Sequence, residues 1–199
     1  MKEILDEVKG RRFQAALDVG CGRGKLVLEL RENCELVVGL DRKVEDLPGG
    51  EKGAFFVGGR AEELPFKGEV FDLLLSSFSV HEFDDQGRAL REMARVMKPG
   101  GLLLCIDWMK GASVAPGQRP LSPDEMRELL ESAGFEEVSV KPLEGKRMFV
   151  RALKGKRDEK SKVLRQGFRK PGDEPLQRRG GQEAEEPHPP LGFEERRYR

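Results

Sequence analysis

The chain has 199 residues, 36 Lys and Arg against 36 Asp and Glu, and 37% hydrophobic residues, enough for one well-buried domain and too little for two of ordinary size. The charges are uneven: residues 1–150 hold 22 basic and 27 acidic side chains, residues 151–199 hold 14 and 9, so the acidic body gives no reason to expect tight binding of a polyanion. Three cysteines without a C-x-x-C pair and two histidines make no metal-ligand pattern, and with a charged N-terminus and no apolar run of membrane-spanning length the expected setting is cytoplasmic.

In chain order, Ile4, Leu5 and Val8 are spaced as on a short amphipathic helix within residues 1–12. An apolar strand over residues 13–19 then runs into Gly20-Cys21-Gly22-Arg23-Gly24. Glycine at alternate positions lets the chain turn sharply, bring backbone N–H groups close to a ligand and start a helix there, over residues 25–31. The loop is not the dinucleotide pattern G-x-G-x-x-G, because its third glycine comes one residue early. It is not a triphosphate loop either, because Gly24-Lys25 is followed by Leu26. Asp18, just before the first glycine, suits an ammonium group better than a pyrophosphate.

Strand, acidic residue and G-x-G-x-G together resemble the first motif of the class I S-adenosylmethionine-dependent methyltransferases. That resemblance implies that Asp18, Gly20, Cys21, Gly22 and Gly24 hold the methionine part of S-adenosylmethionine. A second buried strand, residues 35–41, ends in Asp41 about twenty positions after the loop. Such a carboxylate can accept hydrogen bonds from both ribose hydroxyls, and in the family this is the second cofactor motif, with Arg42 beside it.

Pro48-Gly49-Gly50 argues against a regular helix before a third strand over residues 54–57. Gly59-Arg60-Ala61-Glu62-Glu63-Leu64-Pro65-Phe66 is similar to the family's third motif, Gly-Asp-Ala-x-x-Leu-Pro-Phe, in which the Asp takes the adenine amino group. Here Arg60 holds that position, and arginine cannot accept a hydrogen bond. Three alternatives stay open: Glu62 supplies the carboxylate, Arg60 stacks on the adenine, or recognition rests on the Ala61 backbone and apolar contacts.

A fourth strand, residues 71–77, is expected beside the first, so its end faces the methyl group. By resemblance to the menaquinone and ubiquinone C-methyltransferases, Ser77 touches the cofactor and His81 lies close to the substrate as the candidate catalytic base. A helix is predicted over residues 86–97, ended by Lys98-Pro99-Gly100-Gly101, followed by a fifth strand over 102–108 that brings Asp107 and Trp108 to the mouth of the site. Ser122-Pro123-Asp124-Glu125 is a capping box with proline at the first helical position, and residues 135–141 and 147–153 read as a closing strand pair. Beyond residue 154 apolar residues nearly vanish, so residues 155–199 are expected to form a disordered charged tail after a domain of residues 1–154.

The resemblance over residues 13–153 implies a three-layer α/β/α, Rossmann-like fold with a mostly parallel sheet of about seven strands and one antiparallel strand. It implies methyl transfer by in-line displacement, with a small molecule as the leading acceptor. The Asn/Asp-Pro-Pro-Tyr and Pro-Cys signatures of nucleic-acid methyltransferases are missing. The alternatives are a protein or RNA acceptor, and a non-catalytic S-adenosylmethionine-binding subunit.

Overall fold

The computed structural model describes residues 1–156 except 44, 46, 51 and 52, and the segment expected as a tail lies, from residue 157 on, outside the described residues. Residues Met1–Gly155 form one compact unit. Its elements are α1 (Lys2–Val8), β1 (Phe13–Val19), α2 (Lys25–Glu29), β2 (Cys34–Asp41), β3 (Ala54–Gly58), β4 (Phe71–Ser77), α3 (Gln86–Val96), β5 (Met97–Trp108), α4 (Pro123–Ser132), β6 (Phe135–Leu143) and β7 (Arg147–Lys154).

The strands lie in the order β3-β2-β1-β4-β5-β7-β6. β1 to β5 pair in parallel, and β7 runs antiparallel to both of its neighbours. The chain leaves β1 toward one edge through β2 and β3 and returns on the other side of β1 with β4. That reversal opens a crevice at the strands' C-terminal ends, between β1 and β4, where ligands bind in open α/β sheets.

Alternation along the strands builds both layers. Ala15, Leu17 and Val19 of β1 join Leu90 and Met93 of α3 and Met126 and Leu130 of α4 in one core cluster. Ala16 joins Ile4 and Val8 of α1 and Leu26, Val27 and Leu30 in the other. With both faces covered, β1 reads as a nearly continuous apolar run, as a parallel interior strand should.

The capping box is present: the Glu125 N–H donates to Ser122 Oγ at 3.2 Å and the Ser122 N–H to Glu125 Oε2 at 2.7 Å. Two predicted elements differ. The helix after the glycine loop is only five residues long and continues as a 3-10 turn, Leu30–Glu32. Helix α3 ends at Val96, within one residue of its predicted end, but β5 starts at once with Met97 and not at the predicted residue 102, so Lys98 to Gly101 lie inside the strand. Met97 is fully buried and pairs with Phe71. This tertiary pairing outweighs the Pro-Gly-Gly turn signal, which is absorbed as a register shift between Phe71 and Leu73.

Candidate active site

The glycine loop closes β1 in a conformation that only glycine holds without strain: φ is +79° at Gly20, +51° at Gly22 and +73° at Gly24. Space matters too, since a Cβ on Gly20 would lie 2.4 Å from Ser79 Cβ and one on Gly24 would lie 2.4 Å from the Phe56 ring. Protein acceptors take much of the loop's N–H set. Gly20 and Cys21 donate to the Leu40 carbonyl at 2.8 and 3.0 Å, and Gly22 donates to Asp41 Oδ2 at 2.8 Å. Asp41 therefore shapes the loop as well as facing the crevice. Its Oδ1 accepts the Lys43 N–H at 3.0 Å, and a carboxylate with about four lone-pair sites still has room for ribose hydroxyls.

A cavity of about 330 Å³ opens here, walled by Gly20 to Gly22, Leu40 to Lys43, Gly59 to Glu62, Ser77 to Ser79 and Glu82 to Asp84. Of the residues singled out from sequence, Gly20, Cys21, Gly22, Asp41, Arg42, Arg60, Ala61, Glu62 and Ser77 line it, while Asp18, Gly24 and His81 do not. Gly24 is turned against Phe56 and Pro48. Asp18, directly before the cavity-lining Val19 and Gly20, is 2% exposed, and its Oδ1 has no hydrogen-bond partner among the described residues. Burial, reinforced by the Asp41 charge, pushes its carboxyl up to about 7. An orphaned buried acceptor is costly, and a cationic group of a ligand would relieve it; Asp18 and Asp41 are acceptors of the kind that an ammonium group and ribose hydroxyls would need. Burial, with the charges of Asp18 and Asp41, pushes the Cys21 thiol up to about 12, so Cys21 contributes packing and not a thiolate.

The acidic position of the third motif is replaced by an ion-pair arrangement. Arg60 Nη2 donates to Asp84 Oδ2 at 2.5 Å, and its Nε lies 3.6 Å from Glu62 Oε2. Glu62 Oε1 accepts the Asp84 and Asp85 N–H groups at 2.8 and 3.3 Å. Serine hydroxyls tie the end of β4 to the end of β1: Ser79 Oγ donates to the Val19 carbonyl at 2.9 Å and lies 2.6 Å from Ser76 Oγ.

His81 is 5% exposed and locked from behind. Its Nδ1 lies 2.5 Å from Asp107 Oδ1 and its N–H donates to Asp107 Oδ2 at 3.0 Å. Asp107 Oδ1 also accepts the Trp108 N–H at 2.7 Å. The other ring nitrogen of His81 is 3.9 Å from Oε1 of the cavity-lining Glu82, which in turn accepts Gln118 Nε2 at 2.6 Å. Phe78 lines the cavity with φ of +54°, uncommon for a bulky residue. Its ring packs on Trp108 with centroids 4.9 Å apart.

The lining residues not anticipated from sequence include Phe78, Ser79, Glu82 and Asp84. Only Asp84 had a local signal, since it immediately precedes Asp85, the N-cap of α3, whose side chain accepts the Arg88 N–H at 2.9 Å.

Residues 17–105 match the family model described as a methyltransferase domain. The chain is 36% identical over 122 residues to the ubiquinone/menaquinone biosynthesis C-methyltransferase of Proteus mirabilis (strain HI4320), covering 55% of this chain and 49% of that protein. It is 40% identical over 103 residues to the mitochondrial arginine-hydroxylase NDUFAF5 of Danio rerio, covering 47% of this chain and 30% of that one. The chain thus spans about half or less of the curated relatives it matches. In three dimensions it resembles the Haloferax volcanii complex of the Trm112 methyltransferase activator with a methyltransferase, with a TM-score of 0.69 at 18% identity over 77% of this chain and 88% of that one. At that identity the likeness concerns the fold.

Proposed function

We propose that this chain, whose residues 17–105 match the family model of a methyltransferase domain, is an S-adenosylmethionine-dependent methyltransferase that moves a methyl group from that donor to a small-molecule acceptor. The observation that carries the reading is a pair of carboxylates, one on the cavity wall and one just behind it: Asp41 lines the cavity, and Asp18, directly before the cavity-lining Val19, keeps a buried oxygen without a partner among the described residues. Bound there, S-adenosylmethionine would supply a methyl group activated by its sulfonium charge, to be transferred to an electron pair of the acceptor with S-adenosylhomocysteine as the leaving group.

The protein's own work is alignment and exclusion of water. Asp18 takes the ammonium group and Asp41 the ribose hydroxyls, while the loop from Gly20 to Gly24 keeps the chain close to both. Residues 60–62 border the adenine end and Ser77 the region beside the methyl. Phe78, backed by the Trp108 ring, gives the acceptor an apolar wall. The acceptor's proton passes to the cavity-lining Glu82, and His81 stands behind it as an orienting group, its Nδ1 held by Asp107 and its Nε2 3.9 Å from Glu82 Oε1. The reduced cysteines Cys21, Cys34 and Cys105 suit a cytoplasmic setting. Among the described residues no helix is long and apolar enough to cross a membrane.

The test is calorimetric titration of the full chain with S-adenosylmethionine and S-adenosylhomocysteine, followed by donor turnover with a panel of reduced quinones. Saturable binding of both, abolished in Asp41→Ala, is expected. A folded wild type that binds neither overturns the reading.

A further inference from the structure

The cavity has an end at which the expected acceptor side chain is a donor. Position 60 is an arginine, whose guanidinium can only donate, yet the amino group of an adenine needs an acceptor. Glu62 is the nearest carboxylate in sequence, but it is 8% exposed, and its Oε1 already receives the backbone N–H groups of Asp84 and Asp85. Its Oε2 faces Arg60 Nε at 3.6 Å, so both oxygens are engaged by the protein, and its work is to fix the segment before α3.

The residue so fixed is Asp84, which lines the same cavity beside Arg60 and Glu62. It is held at three points: its N–H by Glu62, its carbonyl by Arg119 Nη2, and its carboxylate Oδ2 by Arg60 Nη2 at 2.5 Å. A surface aspartate with a 62% exposed side chain ordinarily samples many positions; this one is pinned in backbone and side chain at the rim of a ligand cavity. The Arg60 hydrogen bond and charge, with Arg42 and Arg119 nearby, also hold its carboxyl below the usual range. The result is an ionised acceptor that needs little reordering on binding.

We propose that Asp84 is the carboxylate that reads the amino group of the donor's adenine, and that Arg60 is the positioning residue that holds it over the cavity. The inference rests on the methyl-donor reading above. In effect, the carboxylate absent from the loop after β3 is supplied from the loop after β4, and the arginine at position 60 is what delivers it. Arg60 is thereby committed to Asp84 and not to stacking on the base.

The test uses the full chain and two ligands, S-adenosylhomocysteine and S-inosylhomocysteine, which replaces the amino group by a carbonyl. Affinities are read by calorimetry, with circular dichroism as the folding check. Wild type should prefer the adenosyl ligand by tenfold or more, on the order of one hydrogen bond to a charged group. Asp84→Asn should bring the two ligands near parity, because an amide can donate to the inosine carbonyl. Asp84→Ala and Arg60→Ala should each weaken the adenosyl ligand about tenfold and the inosyl ligand little, and the double variant should be no worse than Asp84→Ala alone. Asp41→Ala should weaken both ligands equally. An unchanged ligand ratio in Asp84→Asn overturns the proposal while leaving the donor reading intact, as does equal weakening of both ligands by Arg60→Ala, the signature of stacking. A folded wild type that binds neither ligand overturns the donor reading and this proposal with it.

Discussion

Replacing Asp18 by asparagine removes a charge from a place that disfavours it while keeping the side chain's size. The Asp18 carboxyl is raised from 3.8 to about 7, first by burial and then by Asp41. About three units at 1.36 kcal/mol each correspond to roughly 4 kcal/mol. The sign follows from proton counting. Between pH 4 and pH 7 the folded chain holds a proton at Asp18 that the unfolded chain has lost, so this group's contribution to stability falls as pH rises through that window and is flat above it. An asparagine at this position has no such dependence. In the ligand-free protein Asp18→Asn should therefore be more stable than wild type at pH 8, by as much as about 4 kcal/mol, with the difference shrinking toward zero near pH 4. Urea melts of both proteins at half-unit intervals measure it. Working with the difference cancels groups such as Glu3, Glu92 and Glu125, whose carboxyls are lowered and whose contributions fall in the opposite direction, as pH drops.

Ligand binding should show the reverse trade. The ammonium of S-adenosylmethionine needs the ionised Asp18, so wild-type affinity should fall by up to tenfold per unit as pH drops from 7 to 5, where the ligand's amine stays protonated. Asp18→Asn should bind about tenfold to a hundredfold more weakly at pH 7, the range for a hydrogen bond to a charged group, with a flat pH dependence. A stability difference that does not change between pH 5 and pH 8 would refute the titration argument. Unaltered affinity in the asparagine variant would refute the ammonium assignment.

Ser79→Ala leaves the buried Val19 carbonyl without the hydroxyl that donates to it, and should cost about 1–3 kcal/mol in urea melts together with weaker S-adenosylmethionine binding, because that contact ties the β4 loop to the glycine loop. Ser122→Ala removes the capping hydroxyl of α4 and should lower stability by about 0.5–2 kcal/mol while leaving the calorimetric affinity for S-adenosylhomocysteine at the wild-type value. Loss of affinity there would mean that α4 communicates with the cavity.

Much of the fold was legible because its signals are local. The run Leu17 to Val19 followed by glycines at 20, 22 and 24, the acidic end of β2 at Asp41, and Ser122 three residues before Glu125 each encode backbone geometry within a few positions. In the same way, β1, β4 and the start of α4 were readable to the residue, since alternation, capping and steric limits act on neighbouring residues. The end of α3 was readable to within a residue, but the start of β5 was not, because the Pro-Gly-Gly turn signal yields there to the pairing of Met97 with Phe71, a partner twenty-six positions away in the chain.

The site divides along the same line. That a carboxylate precedes the glycine loop and that another ends β2 is written in the chain; that Asp18 keeps a buried oxygen without a partner while Asp41 holds the loop through Gly22 is not. Nor does position alone tell that His81 lies behind Glu82 against Asp107, or that Arg60 reaches a carboxylate twenty-four residues on. Hydrogen bonds and burial depend on distances in space, and those exist only once the sheet order has brought the loops after β1, β2, β3 and β4 to one edge. The sequence alone determined which chemical groups this protein has to offer and which strand ends carry them. The tertiary structure decided which of those groups face the cavity, which brace it from behind, and which are left charged and waiting, because desolvation and pairing are properties of the assembled crevice and not of any segment of the chain.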